Sequence, residues 1–487
     1  MSNDQLLLAL SVAVPLLGSF ALPILGRATE SARNVIALLC ALVSLVCIGA
    51  QLPTVLGGGT TTLAIAGLDV FHADKLAVFM AMISMLVGSI IVFYSWGYIE
   101  HFENRNEYYF VVVLFLGAMM GLVFSQNLIG MYLFWEITAF ACWRLIGFFR
   151  EREFVRRADK AFLVTLFGAV MMLLGFIVVY SQYGTFDLQA LSGKQVSNLA
   201  VGLMLLGILS KSATFPLHTW LPDAGVAPSP VTALLHAAVL VKIGVYVFAR
   251  LFVATFVIDP IWHEIVPWIA AVSAIVSGGA ALVSYDIKRI IAYSTVSQLA
   301  FIFLGLAVGT DISVGGGLLY ILMHSIAKGG LFLCAGIVEH QTHTKDIRKL
   351  GGLWKTMPVT AISFALCSFS VMGVPPFGGF FSKFLVISGA LDAGQVALGC
   401  TFVFGSFLTI LYLFRVFTTV FLGEPKAVEA AEHGDGHASH HEVREGSPGM
   451  VASVAMLAAL ALASGLLVSY PTQMVQSTTQ EIVRSAR

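Results

Sequence analysis

The sequence has few charged residues. Asp, Glu, Lys and Arg make up 11% of its 487 residues, whereas an average soluble protein contains about 25%. Apolar residues account for 58% of the chain. Positive and negative side chains balance at 27 each, so no net charge attracts nucleic acid or an acidic partner. The composition excludes an ordinary soluble domain and indicates a protein that crosses a lipid bilayer many times.

The sequence also lacks the motifs of cofactor sites. Its six cysteines stand singly within apolar runs, without the CxxC spacing of zinc or iron–sulfur sites. It has neither a glycine-rich phosphate loop nor a dinucleotide-binding fingerprint. We therefore expect no cofactor, no bound metal and no redox centre in this chain. Any electron transfer has to occur in partner subunits.

What the sequence does contain is a series of apolar runs, each long enough to cross a bilayer as a helix of about 20 residues. They predict an all-α, polytopic membrane protein with about fourteen transmembrane helices. The predicted spans are 5–25, 34–56, 76–98, 108–124, 126–149, 161–183, 197–221, 229–256, 261–284, 290–309, 314–339, 358–390, 397–422 and 450–470.

The basic residues of the connecting loops predict an orientation. Sixteen lysines and arginines lie in loops that follow odd-numbered spans, and only Lys75, Lys194 and Arg250 follow even-numbered ones. Cytoplasmic loops are the ones enriched in basic residues. We therefore expect a multi-pass protein of the cell (inner) membrane with both termini on the outer, periplasmic side, although Arg484 and Arg487 in the tail run against this trend.

Proline and glycine interrupt two of the predicted spans. Pro216 follows Lys211 in the seventh span, and Pro375 and Pro376 precede Lys383 in the twelfth. Broken helices at matching positions of two halves are a sequence sign of a transport site. Helices 4–8 and 9–13 therefore predict two inverted five-helix repeats, with helices 7 and 12 broken.

These repeats divide the chain into five segments, defined by their predicted helices and charged residues. The segments are an N-terminal three-helix segment (1–107), a first repeat (108–256), a second repeat (257–422), a histidine-rich cytoplasmic loop (423–449), and a C-terminal helix with its tail (450–487).

A small set of ionisable residues lies within the spans. A lysine at the centre of a membrane helix costs about 2.5–3.5 kcal/mol on insertion scales, so such a residue is by default a functional-site hypothesis. Amines, imidazoles and carboxylates gain and lose protons reversibly, which a proton relay requires. The candidate proton-transfer residues are Glu136, Lys211, His236, Lys242, His324, Lys328 and Lys383.

Each candidate also has a structural interpretation. The lysines and Glu136 could form ion pairs that only stabilise the fold, and a membrane histidine is often a hydrogen-bonding residue between helices. Arg144 and Arg415 lie near span ends, where their side chains can reach the interface. The loop histidines could bind metal but are more typical of a solvated loop; they are His433, His437, His440 and His441.

Several motifs together resemble a known family. They are WEITAFACWRLIGF, LLGILSKSATFPLHTWLPDAGVAPSPVTALLHAAVLVKIGVY, SYDIKRIIAYSTVSQLAF, HSIAKGGLFL and GVPPFGGFFSKF. Their order is similar to that of the antiporter-like subunits shared by respiratory complex I, Mrp-type Na⁺/H⁺ antiporters and membrane-bound, energy-converting hydrogenases. The resemblance implies fourteen helices, inverted repeats and proton transfer along a hydrated axis in the membrane plane.

The same resemblance implies roles for the candidate residues. Glu136 and Lys211 match the family's ion pair, and Lys242 with His236 matches the connecting group of helix 8. His324 and Lys328 match the group of helix 11, and Lys383 matches the terminal residue of helix 12.

Three functions follow, in order of preference. The first is a proton-translocating subunit of a complex I-like NADH:quinone oxidoreductase or an energy-converting hydrogenase. The second is a subunit of a multi-subunit Mrp-type Na⁺/H⁺ antiporter, and the third has only a structural or assembly role. In each case the chain lies in the bilayer among other membrane subunits.

Overall fold

A computed structural model describes residues 2–65, 67–426 and 443–485. The four loop histidines lie outside the described residues. The helices are α1 Asn3–Ala28, α2 Glu30–Ala50, α3 Leu52–Leu56, α4 Lys75–Tyr98, α5 Arg105–Phe124, α6 Leu128–Ile146, α7 Arg152–Tyr183, α8 Asn198–Lys211, α9 Trp220–Asp223, α10 Ser229–Ala233, α11 Leu240–Phe248, α12 Trp262–Val283, α13 Ile287–Val308, α14 Asp311–Thr342, α15 Pro358–Met372, α16 Gly378–Asp392, α17 Val396–Phe417, α18 Pro448–Leu466 and α19 Ser469–Ser485.

The protein is an all-α polytopic membrane protein, as predicted. Within the described ranges, twelve helical segments are long and apolar enough to cross a membrane. The other two predicted spans are divided by their breaks, into α8 with α9 and into α15 with α16. Both breaks fall where proline removes a backbone donor and blocks the helix. The inverted repeats and the segment boundaries built on them stay a prediction.

Polar side chains satisfy backbone groups around the break after α8. The indole of Trp220 donates to the carbonyl of Ser210 at 3.0 Å, and the hydroxyl of Ser273 accepts from the amide of Phe215 at 2.8 Å. In lipid, unwound backbone is tolerated only where the protein supplies such partners. Side chains of the bundle therefore stabilise the unwound backbone at this break.

The span between α10 and residue 253 is irregular. It passes through two π-helical segments, Leu234–Ala238 and Ala249–Val253, which flank α11. Short π segments are rare in helices and occur frequently at functional sites. Every described residue of this span, Ser229–Val253, is buried except the partly exposed Arg250, and α13 and α14 are almost as buried.

The outermost helices expose large apolar side chains. Leu17 of α1, Phe167 of α7 and Phe407 of α17 are each at least half exposed. Such side chains suit contact with lipid tails or with neighbouring membrane subunits. The candidate lysines and histidines are buried inside this apolar surface, whereas Glu136 is half-buried on α6, which exposes Leu133 and Phe140.

Two elements were not predicted. Strands β1 Thr61–Ile65 and β2 Leu68–Ala73 form an antiparallel hairpin with a bulge between Leu63 and Ala64. The tail expected after the last span is the helix α19, which packs on α14 and α4. Lys75 of α4 holds it through a 3.0 Å ion pair with Glu481.

Candidate functional site

Lys211 is the last residue of α8 and is fully buried. Its ammonium group lies 5.0 Å from the centre of the Trp135 ring and donates to the Trp135 carbonyl at 3.2 Å. An ammonium over an indole face is stabilised by the charge distribution of the ring. The side chain is thus held at the break by α6, the helix that also carries Glu136.

The expected direct ion pair between Glu136 and Lys211 is absent from the described contacts. Glu136 is only half-buried, and its Oε1 atom has no hydrogen-bond partner among the described residues. The carboxylate still interacts with Lys211 electrostatically. The reason is that the Lys211 amine turns toward the backbone of Trp135, while Glu136 lies on a more exposed side of α6.

Lys242 pairs with His324, a partner on another helix. Its Nζ lies 2.6 Å from Nδ1 of His324 in α14, and both side chains are buried. The family resemblance had grouped Lys242 with His236. His236 lies instead in the first π-helical segment, 4.4 Å from the ring of Phe332, and neither ring nitrogen has a partner within the described chain.

Lys328 begins a line of hydrogen bonds that the sequence did not predict. Its ammonium group donates to the hydroxyl of Ser294 at 2.5 Å, and this hydroxyl lies 2.8 Å from that of Tyr412. The amide of Gln298 donates to Tyr412 at 3.2 Å and accepts from the hydroxyl of Tyr320. All these side chains are buried.

Lys383 stands at the far end of this line, on α16. Its ammonium group lies 4.6 Å from the ring centre of Phe301 and 5.8 Å from that of Tyr320. No described residue accepts a hydrogen bond from it. Gly373, in the break before α16, makes room: a Cβ there would lie 3.2 Å from the lysine side chain.

Taken together, α8, α11, α14 and α16 each supply one buried lysine. His324 touches Lys242, and its ring lies 6.1 Å from that of Tyr320, which faces Lys383. Amines, imidazole and hydroxyls can all pass a proton on, so this row has the chemistry of a proton relay. No group of three His, Cys, Asp or Glu side chains suited to a metal occurs in residues 2–65, 67–426 and 443–485.

A family model described as "NADH:quinone oxidoreductase/Mrp antiporter, TM" matches residues 125–409. The chain belongs to this family. The resemblance drawn from the motifs is confirmed, and the protein is an antiporter-like component of the membrane.

Curated relatives of this antiporter-like protein include the A subunit of the Na⁺/H⁺ antiporter of Alkalihalophilus pseudofirmus, 36% identical over 72% of this chain and 46% of that protein. The A1 subunit of the Na⁺/H⁺ antiporter of Staphylococcus aureus is 33% identical over 81% of this chain and 52% of that protein. The chain therefore spans about half the length of the curated relatives it matches.

Two solved structures share the fold of this antiporter-like protein. One is a chain of the Mrp complex from Dietzia sp. DQ12-45-1b, which aligns with a TM-score of 0.89 at 24% identity, over 99% of this chain and 98% of that one. The other belongs to an archaeal membrane-bound sulfane sulfur reductase and aligns with a TM-score of 0.86 at 22% identity, over 99% and 98%. Both structures show that this chain shares their fold, and the expectation of partner membrane subunits stays a prediction.

The sequence analysis missed further buried or half-buried polar groups of this antiporter-like protein. His218, after the break of α8, has an Nδ1 atom with no partner among the described residues. Glu339 near the end of α14 forms a 2.6 Å ion pair with Lys288. His236 interacts electrostatically with both Lys288 and Lys328. His218, Lys288 and Glu339 can be read from the sequence, but a single sequence does not show which side chains contact one another.

Proposed function

We propose that this chain is the proton-translocating subunit of a multi-subunit Mrp-type Na⁺/H⁺ antiporter. The observation that carries the proposal is the set of four buried lysines on broken or central helices, Lys211, Lys242, Lys328 and Lys383. His324 contacts Lys242, and the line of Ser294, Tyr412, Gln298 and Tyr320 lies between Lys328 and Lys383. A buried cation is costly in a membrane, so four of them in one chain indicate a transport role rather than chance.

The charge of the row favours protons over sodium as the ion that moves through it. Ammonium groups repel a metal cation, and at close range in a poorly solvated interior this repulsion is strong. A proton instead moves by becoming part of an amine, an imidazole or a hydroxyl. We therefore assign the proton path to this chain and the sodium path to partner subunits.

The relatives support the antiporter over the redox-coupled complex that the sequence analysis ranked first. Those named above are the A and A1 subunits of Na⁺/H⁺ antiporters. The family description also names NADH:quinone oxidoreductase, which keeps a redox-coupled proton pump as the second candidate. The two differ in what drives the protons, a sodium gradient or an electron donor.

The exposed apolar face of α6 favours contact with a neighbouring subunit in the membrane plane. Glu136 lies between Leu133 and Phe140, whose exposed fractions are 59% and 52%. Large exposed apolar side chains on one helix face suit contact with lipid tails or with another membrane subunit. We therefore infer that a neighbouring subunit packs on the face formed by Leu133 and Phe140, next to the half-buried Glu136.

Transport by the reconstituted complex tests the proposal. Proteoliposomes with an imposed sodium gradient should show proton movement, and Lys383→Met should reduce its rate at least tenfold without reducing complex yield. Lys194→Met, at an exposed loop lysine, is the matched control and should transport normally.

The other outcomes decide between the alternatives. Proton movement that ignores sodium but follows an electron donor would favour the redox-coupled complex. Normal transport by Lys383→Met, with a lower yield of complex, would favour a purely structural role.

A further inference from the structure

The span that carries Lys242 also carries a polar path toward one end of the bundle. Lys242, Tyr246 and Arg250 are spaced by four residues, which places them along one side of a helix. The guanidinium Nε of Arg250 donates to the Tyr246 hydroxyl at 3.1 Å, and that hydroxyl donates to the carbonyl of Val123. Lys242 and Tyr246 are both buried.

Arg250 is fixed at the end of this path by Asp74. Its two terminal nitrogens donate to the two carboxylate oxygens of Asp74 at 2.5 and 2.7 Å. Each side chain is only 12% exposed. A two-point contact between arginine and carboxylate is among the stronger and more directional ion pairs in proteins.

Beyond the ion pair lies a polar cavity of about 250 Å³. Asp74 and Arg250 line it together with His72, Ser125, Gln126 and Thr255. The cavity lies at the end of the bundle that holds the hairpin. A polar space of this size holds several water molecules.

We propose that this cavity is a water-filled vestibule and that the Asp74–Arg250 pair is the gate between it and Lys242. The inference rests on the proposed function, because the gate matters only if Lys242 carries protons. It connects Lys242 with water at the hairpin end of the bundle. The ligand of the vestibule is water with its excess protons.

Two features make the pair a closed gate. The guanidinium lies between the vestibule and Tyr246, where its positive charge repels both hydronium and metal cations. The Tyr246 hydroxyl already accepts from Arg250 and donates to Val123, so it is not free to pass a proton to Lys242. Arginine itself does not give up its proton in proteins. A proton passes only when Arg250 leaves Tyr246.

Passive proton leak measures the gate directly. The reconstituted complex, with a pH gradient and no sodium, should be nearly proton-tight. Asp74→Leu combined with Arg250→Met removes both charges together and so leaves neither one buried alone. This double variant should leak protons at least tenfold faster, and adding Tyr246→Phe should return the leak to the basal rate.

Lys75→Met is the matched control. It breaks the ion pair with Glu481, which also lines the cavity, but leaves Arg250 on Tyr246. Its leak should stay basal. A folded double variant that remains proton-tight would overturn the gate, and so would a leak that Tyr246→Phe does not suppress.

The same preparation separates this inference from the proposed function. If Lys383→Met stops sodium-driven transport while the double variant stays proton-tight, only the gate is wrong. If Lys383→Met transports normally, the proposed function fails first.

Discussion

Replacing Gln298 by methionine should slow proton transfer between Lys328 and Lys383, because the Gln298 amide holds the hydroxyls of Tyr412 and Tyr320 in line without itself exchanging a proton. Gln298 bonds both Tyr412, on the Lys328 side, and Tyr320, on the Lys383 side. Methionine has a similar length and volume but cannot complete this line, since its thioether is only a weak acceptor. The substitution therefore removes the connection and leaves the packing nearly unchanged.

The cost to stability follows from which groups lose their partners. Tyr412 keeps its contact with Ser294, and Tyr412 and Thr409 keep each other. Tyr320 loses the acceptor of its hydroxyl. One stranded buried hydroxyl costs about 1–3 kcal/mol, which a chain with so large a buried core should tolerate. We expect the Gln298→Met complex to assemble.

The same substitution should lower the transport rate much more visibly than it lowers the yield of assembled complex. A barrier raised by about 1.4 kcal/mol slows a step tenfold, and this is about the net value of one hydrogen bond. Loss of the Gln298 hydrogen bonds to Tyr412 and Tyr320 should therefore reduce sodium-driven proton transport in proteoliposomes at least ~10-fold.

Thr409→Val is the control for Gln298→Met. The Thr409 hydroxyl accepts from Gln298 at 3.0 Å but lies beside the line rather than within it. We expect its transport rate to stay within about twofold of the unmodified complex, since the line is intact. Normal transport by Gln298→Met, or an equal loss in Thr409→Val, would refute the reasoning.

Two further predictions concern the fold. Gly379→Ala should prevent assembly, because its Cβ would lie 1.8 Å from the Ser370 carbonyl oxygen; the yield of complex measures this. At Gly49 a Cβ would have no neighbour within 4 Å, so Gly49→Ala should stabilise α2 by about 0.5–1 kcal/mol, which thermal melting measures. Burial raises the pKa of Asp74, but the Arg250 charge and hydrogen bonds outweigh it and lower that pKa to about 2. Because the pKa is depressed in the folded state, the pair stabilises the protein by about 2 kcal/mol above pH ~4, and this is lost as the pH falls toward 2. Thermal melting in detergent should show this loss, and Asp74→Asn should lack it.

The sequence was most informative about the membrane helices. Hydropathy over about 20 residues predicted the span 76–98 where the structure has Lys75–Tyr98, and proline marked both broken spans. The hairpin Thr61–Ala73 was missed because its strands are too short for a search by long apolar runs. Helix α19 was missed because it is amphipathic and too polar for such a run.

The buried lysines could be picked out from the sequence, but their connections could not. A lysine inside an apolar run stands out because of its cost, and the structure buries Lys211, Lys242, Lys328 and Lys383; their part in proton transfer stays a prediction. The Lys242–His324 contact joins residues 82 positions apart, and no local pattern encodes it. Ser294 and Gln298 gave no signal either, since serines such as Ser89 often bond only their own helix backbone.

The central claim is that the buried lysines release and accept protons, and Lys328→Arg tests it most directly. Arginine keeps the positive charge and can still donate to Ser294, so a purely structural role would survive. It does not release a proton at any pH at which the protein is folded. The account predicts an assembled complex whose sodium-driven proton transport is reduced at least ~10-fold. Transport at the unmodified rate by that complex would contradict it.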